Sequence, residues 1–474
     1  MAAAAQSAPT TTFSNRVHER SVSWRYLATG VALLVAAGAC SKRAPAPAAK
    51  PPDAKPSDAK PSIAEAFAAG KIPRLPRSQV IPARRTNVLP VPPREAPPDN
   101  PVLVALGKKI FFDERLSEPP GTSCSNCHDP ARAFSGGHGS NLGVPLGSRP
   151  GHFARRSTPS VLYMRYVPQF HYFEDDEAPQ PEPRGGFFWD GRSDSLMELV
   201  KQPLFNPDEM NAGTPRLVAS KIAAGPYAKE FRAAIGPASD PEAVLHEVGV
   251  ALEAYLKSDE MTPESSKYDA YVRGQATLTE QERRGLELFK DRRHGACSGC
   301  HRLAETSTNP AESMFTDYGY DAVALPRNRD LPANQSAGAF DLGLCERKDS
   351  TLPSNDEKWC SNFRTPSLRN VAVRESFGHN GVYKKLRDVV AFYALRAVAP
   401  DRIYPAGQKF DDVPPKYHAN VNIYAPIYNQ REGGTPPLSD EEIDAIVAFL
   451  GTLTDAPYLP KMAGNAPVAA SPSE

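Results

Sequence analysis

The 474-residue chain carries no excess of either charge: 55 Lys and Arg stand against 55 Asp and Glu. That balance gives no support to a nucleic-acid partner or to a polybasic hold on an acidic membrane. Beyond residue 100 there is no run of 18 apolar residues, so the body offers no spanning helix. Tryptophan is scarce, at three residues, and methionine is limited to seven. Aromatic content of 8% and apolar content of 40% are enough for packed cores and argue against wholesale disorder. Proline is the opposite case. There are 49 prolines, about 10% of the chain and roughly twice the usual share.

Residues 41–100 hold 14 of those prolines, in stretches such as PAPAAKPPDAKPSDAKPS. Such a segment buries too little apolar area to offset the entropy of ordering, and proline keeps it extended. It reads as a tether over 41–99. Ahead of it, Arg16, Arg20 and Arg25 flank an apolar stretch from Tyr26 to Ala39. The stretch is short and rich in small residues, as in an export signal rather than a membrane span. Cys40 follows Ala37-Gly38-Ala39, a pattern similar to a bacterial lipoprotein signal, in which the cysteine is lipidated. The expectation is an exported, periplasm-facing protein tethered to the membrane through Cys40, with plain cleavage near Ala39 or an uncleaved anchor as the alternatives. Residues 461–474 read as a flexible tail.

The seven cysteines lie at 40, 124, 127, 297, 300, 345 and 360. Cys124-Ser-Asn-Cys127-His128 and Cys297-Ser-Gly-Cys300-His301 repeat one pattern, C-x-x-C-H. This spacing lets two thiols form thioethers with the vinyl groups of a haem, and the next histidine becomes the proximal iron ligand. Two such motifs in an apparently exported chain point to two covalently attached c-type haems. The competing reading is zinc on two thiolates and a histidine, but no second C-x-x-C lies at the usual short spacing. Cys345 and Cys360 are left as candidates for a disulfide, worth about 3 kcal/mol in the chain-entropy model.

The segments before the two motifs resemble each other. Leu106, Ile110 and Phe111 lead into the first, and Leu286, Leu288 and Phe289 into the second. Thr279 with Glu282 supplies a capping-box start. Further helices are expected over 193–202, 215–223, 241–257, 384–397 and 438–455. Long Pro/Gly-rich loops over 140–190, 305–365 and 400–437 read as functional. The expected fold is mainly α, two cytochrome c-like helical domains with long loops, each carrying one c-type haem. Residues 100–270 would form the first and 271–460 the second, separated near 258–278.

At this point the chain resembles the bacterial dihaem cytochrome c peroxidase and MauG family. The resemblance runs through CSNCHDPARAFS (124–135), RRSTPSVLY (155–163) and FFWDGRSDSLMELVKQPLFNPDEM (187–210). It continues through CSGCH (297–301), FTDYGYDAVALPRN (315–328), FRTPSLRNVAV (363–373), FGHNGVY (377–383) and LRDVVAFY (386–393). It implies a peroxidatic haem on His128, with Glu209 as its acid/base and Pro203 and Pro207 shaping the pocket. It places Trp189 between the haems as a relay and Tyr393 as the distal ligand of the haem on His301, where relatives usually carry Met. None of the seven methionines lies near that stretch. Leu199 stands where relatives carry Gln, so a second polar group over the first haem is in question. Ser157 stands where an Asn calcium ligand is usual, which leaves an interdomain Ca²⁺ resting on other donors. His379 is placed at the domain interface, while His138 and His152 do not match an iron-ligand position.

The implied activity is reduction of hydrogen peroxide to water with electrons from a small cytochrome c or copper protein. MauG-type oxidation of Trp or Tyr side chains of a partner protein is the alternative, and a non-catalytic dihaem electron carrier is the reading from another class. A homodimer is compatible with the resemblance.

Overall fold

The computed structural model describes residues 100–459 apart from 175–180, 237–239, 337 and 348–356. The leader 1–40 with Cys40, the tether 41–99 and the tail 461–474 lie outside the described residues. Nine α-helices of six residues or more are found among the described residues. They are α1 Pro101–Phe111, α2 Leu196–Phe205, α3 Pro215–Ala223, α4 Ala228–Ile235, α5 Pro241–Leu256, α6 Lys267–Val272, α7 Glu280–Lys290, α8 Leu386–Leu395 and α9 Asp440–Gly451. Strands are few and short. β1 (His171–Phe173) pairs antiparallel with β2 (Glu182–Arg184), and β3 (Tyr320–Asp321) with β4 (Phe363–Arg364). A bridge between Arg184 and Gly319 joins the two ribbons. No described helix is long and apolar enough to cross a membrane.

Each half is organised by one close helix crossing. In the first, Asn100 caps α1 by accepting from the N–H groups of Val102 and Leu103. The buried face of α1, Leu106, Ile110 and Phe111, then lies on α5. A Cβ on Gly107 would stand 1.9 Å from the Ala251 carbonyl oxygen. In the second, Thr279 and Glu282 form the capping box of α7, and Ser439 and Glu442 that of α9. A Cβ on Gly285 would stand 1.9 Å from the Ala445 carbonyl oxygen. The Phe111–Tyr255 pair (5.5 Å) beside the first crossing matches Phe289–Phe449 (5.2 Å) beside the second. The repeat seen in the sequence is therefore a repeat of packing.

Two large hydrophobic cores follow, with a small third cluster of Ala324, Cys360, Val413, Tyr417 and Val421. One gathers residues between Leu106 and Met261, and the other residues between Tyr268 and Leu453. The stretch 258–278, expected to separate the halves, is no loose spacer. It contains α6, whose N-cap Ser266 and Asp269 form a capping box. Asp269 is fully buried and receives both ends of the Arg369 guanidinium at 3.0 and 3.1 Å. Burial alone would raise its carboxyl, yet Arg369 and Ser266 hold it below the ordinary range. Asp455 accepts from the Tyr163 hydroxyl (2.8 Å) and the Asn370 amide (2.7 Å) in the same seam. Met314 and Tyr318 of the second half also pack into the first core.

Cys345 and Cys360 are joined in a disulfide with a Cα–Cα distance of 4.8 Å.

The Gly285 crossing makes a stability prediction. Gly285→Ala drives a methyl into the α9 backbone and lowers unfolding free energy by about 1–3 kcal/mol. Gly451→Ala, with nothing within 4 Å of the added carbon, is neutral or slightly stabilising in the same denaturant titration.

Candidate active site

The two C-x-x-C-H motifs are presented alike. After α1, Cys124–Cys127 forms a single helical turn and the half-buried His128 ring packs 6.4 Å from Phe111. His128 Nδ1 is 3.1 Å from the Phe134 carbonyl oxygen, which faces it because Ala133 and Phe134 adopt φ of 52° and 55°. His301 Nδ1 is 3.0 Å from the Phe315 carbonyl oxygen, with Phe315 at φ 52°. The bond at Nδ1 fixes ring and tautomer and leaves Nε2 to coordinate. Burial lowers the basicity of His128 to about 4 and that of His301 below its ordinary value, so both imidazoles are neutral, as iron ligation requires. Burial also pushes the Cys124 and Cys297 thiols up to about 12.

Around the second motif a cavity is lined by Cys297, Cys300, His301, Leu386, Val390, Leu450 and Tyr393. It presents an apolar wall, paired thiols, a neutral histidine and an opposing phenol, which suit a covalently held haem. No group of three or more His, Cys, Asp or Glu able to hold a metal ion occurs among the described residues. The zinc reading and the calcium expectation thus gain no donor cluster there. The Ser157 hydroxyl donates to the Gly378 carbonyl at 2.6 Å.

Beyond each motif the halves carry a matching loop and helix. Phe187–Ser193 is closed by the Phe187 N–H donating to the Ser193 carbonyl at 2.8 Å, and Phe377–Tyr383 by the Phe377 N–H donating to the Tyr383 carbonyl at 2.9 Å. Trp189 in one loop stands where His379 stands in the other, with Gly191 and Gly381 both at φ 64°. Each loop feeds a ten-residue helix, α2 or α8. At its eighth position α2 carries Pro203 and α8 carries Tyr393. At matching positions, α2 therefore offers no side-chain donor and α8 offers a phenol.

Trp189 is 8% exposed and its indole N–H donates to the Ser157 carbonyl at 2.8 Å. It is encoded with the first half yet lines the cavity of the second, alongside His301 and Tyr393. Glu209 belongs to the first motif instead, since its charge acts on the Cys127 thiol. Its turn is built on Asn206. The Asn206 carbonyl accepts from the N–H groups of Glu209 (3.0 Å) and Asn211 (2.9 Å), and its side chain accepts from Asp208 N–H at 3.0 Å. Burial raises the Glu209 carboxyl, opposed by the nearby Arg192 guanidinium. Leu199 packs against the first core. Arg192, Asn206 and Asp208 are the polar company of Glu209, and Arg192 donates to Gln202 at 2.8 Å and Asp190 at 2.9 Å. Gln202, one helical turn beyond Leu199, went unread in the sequence.

Tyr393 is held by a second tyrosine that the sequence did not single out. The Tyr428 ring stacks on it at 5.9 Å and 20°, and the Arg396 guanidinium lies 3.5 Å from the Tyr428 centroid. Burial raises both phenols above the ordinary value. His379 stacks on Phe363 at 3.6 Å in the same cavity, and its carbonyl accepts from Ser157 N–H at 2.8 Å. His138 is tied to the Leu146 carbonyl and His152 to Asp208, each through Nδ1.

The family model for di-haem cytochrome c peroxidase matches residues 101–277. The methylamine utilization protein MauG of Paracoccus denitrificans is 33% identical over 380 residues, covering 77% of this chain and 92% of that protein. The cytochrome c551 peroxidase of Pseudomonas aeruginosa is 30% identical over 304 residues, covering 63% of this chain and 74% of that protein. The crystal structure of the diheme peroxidase BthA from Burkholderia thailandensis superposes with a TM-score of 0.73 at 48% identity, over 78% of this chain and 89% of that one.

The paired thiols make a direct prediction. Acid–acetone extraction leaves two chromophores on the protein, read from the Soret band, and Cys124→Ser with Cys127→Ser removes one of them while the other stays bound.

Proposed function

Because the chain belongs to the di-haem cytochrome c peroxidase and MauG family, we propose that it is a peroxidase reducing hydrogen peroxide to two waters with two electrons and two protons. The observation that carries this reading is the contrast at one helical position, Pro203 against Tyr393, with Glu209 near the proline-bearing side. Haem held at His128 and His301 would supply the iron for O–O cleavage and would carry the two electrons that a donor protein delivers.

The protein supplies the rest. Pro203 has no ligating side chain, so α2 would offer no donor to compete with peroxide at a haem held by His128. A Glu209 carboxylate oxygen accepts a proton from one oxygen of the peroxide. It then delivers that proton to the departing oxygen, which leaves as water. Arg192 stands by the carboxylate and favours its charged form against burial. Trp189 spans the two halves through its indole bond to Ser157 and its place in the second cavity. A small cytochrome c or copper protein delivers electrons to the His301 side. The leader and Cys40 motif support an exported, lipid-anchored protein on the periplasmic side.

The stacked Tyr393–Tyr428 pair favours one second reading, MauG-like oxidation of Trp or Tyr side chains on a partner protein. Steady peroxide turnover with a reduced small cytochrome c is the expected result. Negligible turnover, with the oxidation appearing on an added protein, favours the second reading instead.

Glu209→Gln lowers the second-order rate with peroxide by at least about tenfold, within the usual general acid–base contribution. The pH profile carries the sign. The base form is the active one and burial raises its carboxyl, so the wild-type rate falls with acidification at a higher pH than an exposed glutamate gives. That acid limb is absent in Glu209→Gln.

A further inference from the structure

The segment Asp341–Arg347 lies in the long loop of the second half, yet its side chains reach the Trp189 loop of the first. It is fastened at its base. The Leu344 N–H donates to the Asn362 carbonyl (2.9 Å), the Ser361 N–H to the Leu342 carbonyl (2.8 Å), and Cys345 is bonded to Cys360. The strand it is fastened to continues into β4 and then Thr365-Pro366, on the wall of the second cavity.

From that base, Arg347 reaches across. Its guanidinium donates to the Gly191 carbonyl, pairs with Asp194 at 2.7 Å and lies 4.0 Å from the Phe170 ring centroid. Arg347 is 5% exposed. Asp341 binds both ends of Arg156 at 2.7 Å, and Arg156 in turn holds Asp190 at 2.5 Å. Glu346 pairs with Arg155 at 2.6 Å. On the near side, the Arg364 N–H donates to the Trp189 carbonyl at 2.7 Å. Trp189, Asp190 and Gly191 are thus each gripped by a group from the disulfide-bearing half or by an arginine it orients. A planar fork suits Gly191 and Asp194 together, which a lysine cannot serve at once.

We propose that Arg347, anchored by the Cys345–Cys360 disulfide, is the positioning residue that sets Trp189 between the two centres. This rests on the reading of Trp189 as their contact. One electron passes from the His301 side to the His128 side, and no bond is made or broken. Loss of the fork frees the loop tip, and small displacements of a coupling group cost rate steeply.

The test is the intramolecular electron-transfer rate between the two haems after pulsed reduction of the holoprotein, without peroxide. Arg347→Gln and the double variant Cys345→Ser/Cys360→Ser slow it at least about tenfold. Both Soret bands and both midpoint potentials stay at wild-type values, and Arg347→Lys falls between. A wild-type rate in Arg347→Gln overturns the proposal. So does a slowed rate accompanied by Soret loss or shifted potentials, which marks general disruption. Trp189→Phe separates the two readings. If it leaves the rate unchanged, the relay reading falls. If it slows the rate while Arg347→Gln does not, only the positioning role falls. Should Arg347→Gln fail to fold, reducing the disulfide in the wild-type holoprotein gives the same comparison: slowing supports the proposal and an unchanged rate overturns it.

Discussion

A mirrored pair among the backbone hydrogen bonds between the halves locks this molecule together. The Trp189 carbonyl accepts from Arg364 N–H at 2.7 Å, and the His379 carbonyl accepts from Ser157 N–H at 2.8 Å. Each bond joins the loop tip of one half to the segment before the Thr-Pro-Ser run of the other. Buried backbone groups must be paired, so neither half completes its own wall. The exchange is why Trp189, encoded before the division, lines a cavity after it. The Arg369–Asp269 pair and the Asp455 bonds close the same seam from the other side.

On this duplicated frame the chemistry is deliberately unequal. The proximal sides match down to the carbonyl that orients each histidine. The helices that follow the matching loops differ at their eighth position, a proline in α2 and a tyrosine in α8. The environment reinforces the difference. Glu209 is buried beside Arg192, Asn206 and Asp208, and Arg192 is itself held by Gln202 and Asp190. Tyr393 stacks on Tyr428, which carries the Arg396 guanidinium over its ring, in a largely apolar cavity where burial disfavours the bare phenolate.

Much of this was written locally and so was legible in the sequence. C-x-x-C-H needs no tertiary context, and α3 and α5 announce themselves by cap and stripe. Helix α2 begins three residues later than its pattern suggests, because the Ser193 carbonyl is taken in closing the Trp189 loop. It also runs through Pro203, which a local rule treats as a stop. Helix α4 escaped notice because only Phe231 of it is buried, too little for a stripe. The stretch 258–278 looks like a spacer by composition. It becomes a seam only when Arg369, a hundred residues on, arrives to neutralise Asp269. Gln202, Tyr428 and Arg347 belong to the same class: ordinary residues in sequence, given roles by partners that folding brings. The ungapped match of 187–205 with 377–395 was the one unread signal, and it would have set Pro203 opposite Tyr393 in advance.

The central claim is that the two irons are held unequally, one with an open distal face and one facing Tyr393. Low-temperature EPR of the oxidised holoprotein, with Tyr393→Phe beside it, tests this most directly. The account predicts a high-spin ferric signal from the His128 centre that the substitution leaves alone, and a second haem signal that it changes. Two low-spin signals with no high-spin component, unaffected by Tyr393→Phe, would contradict it.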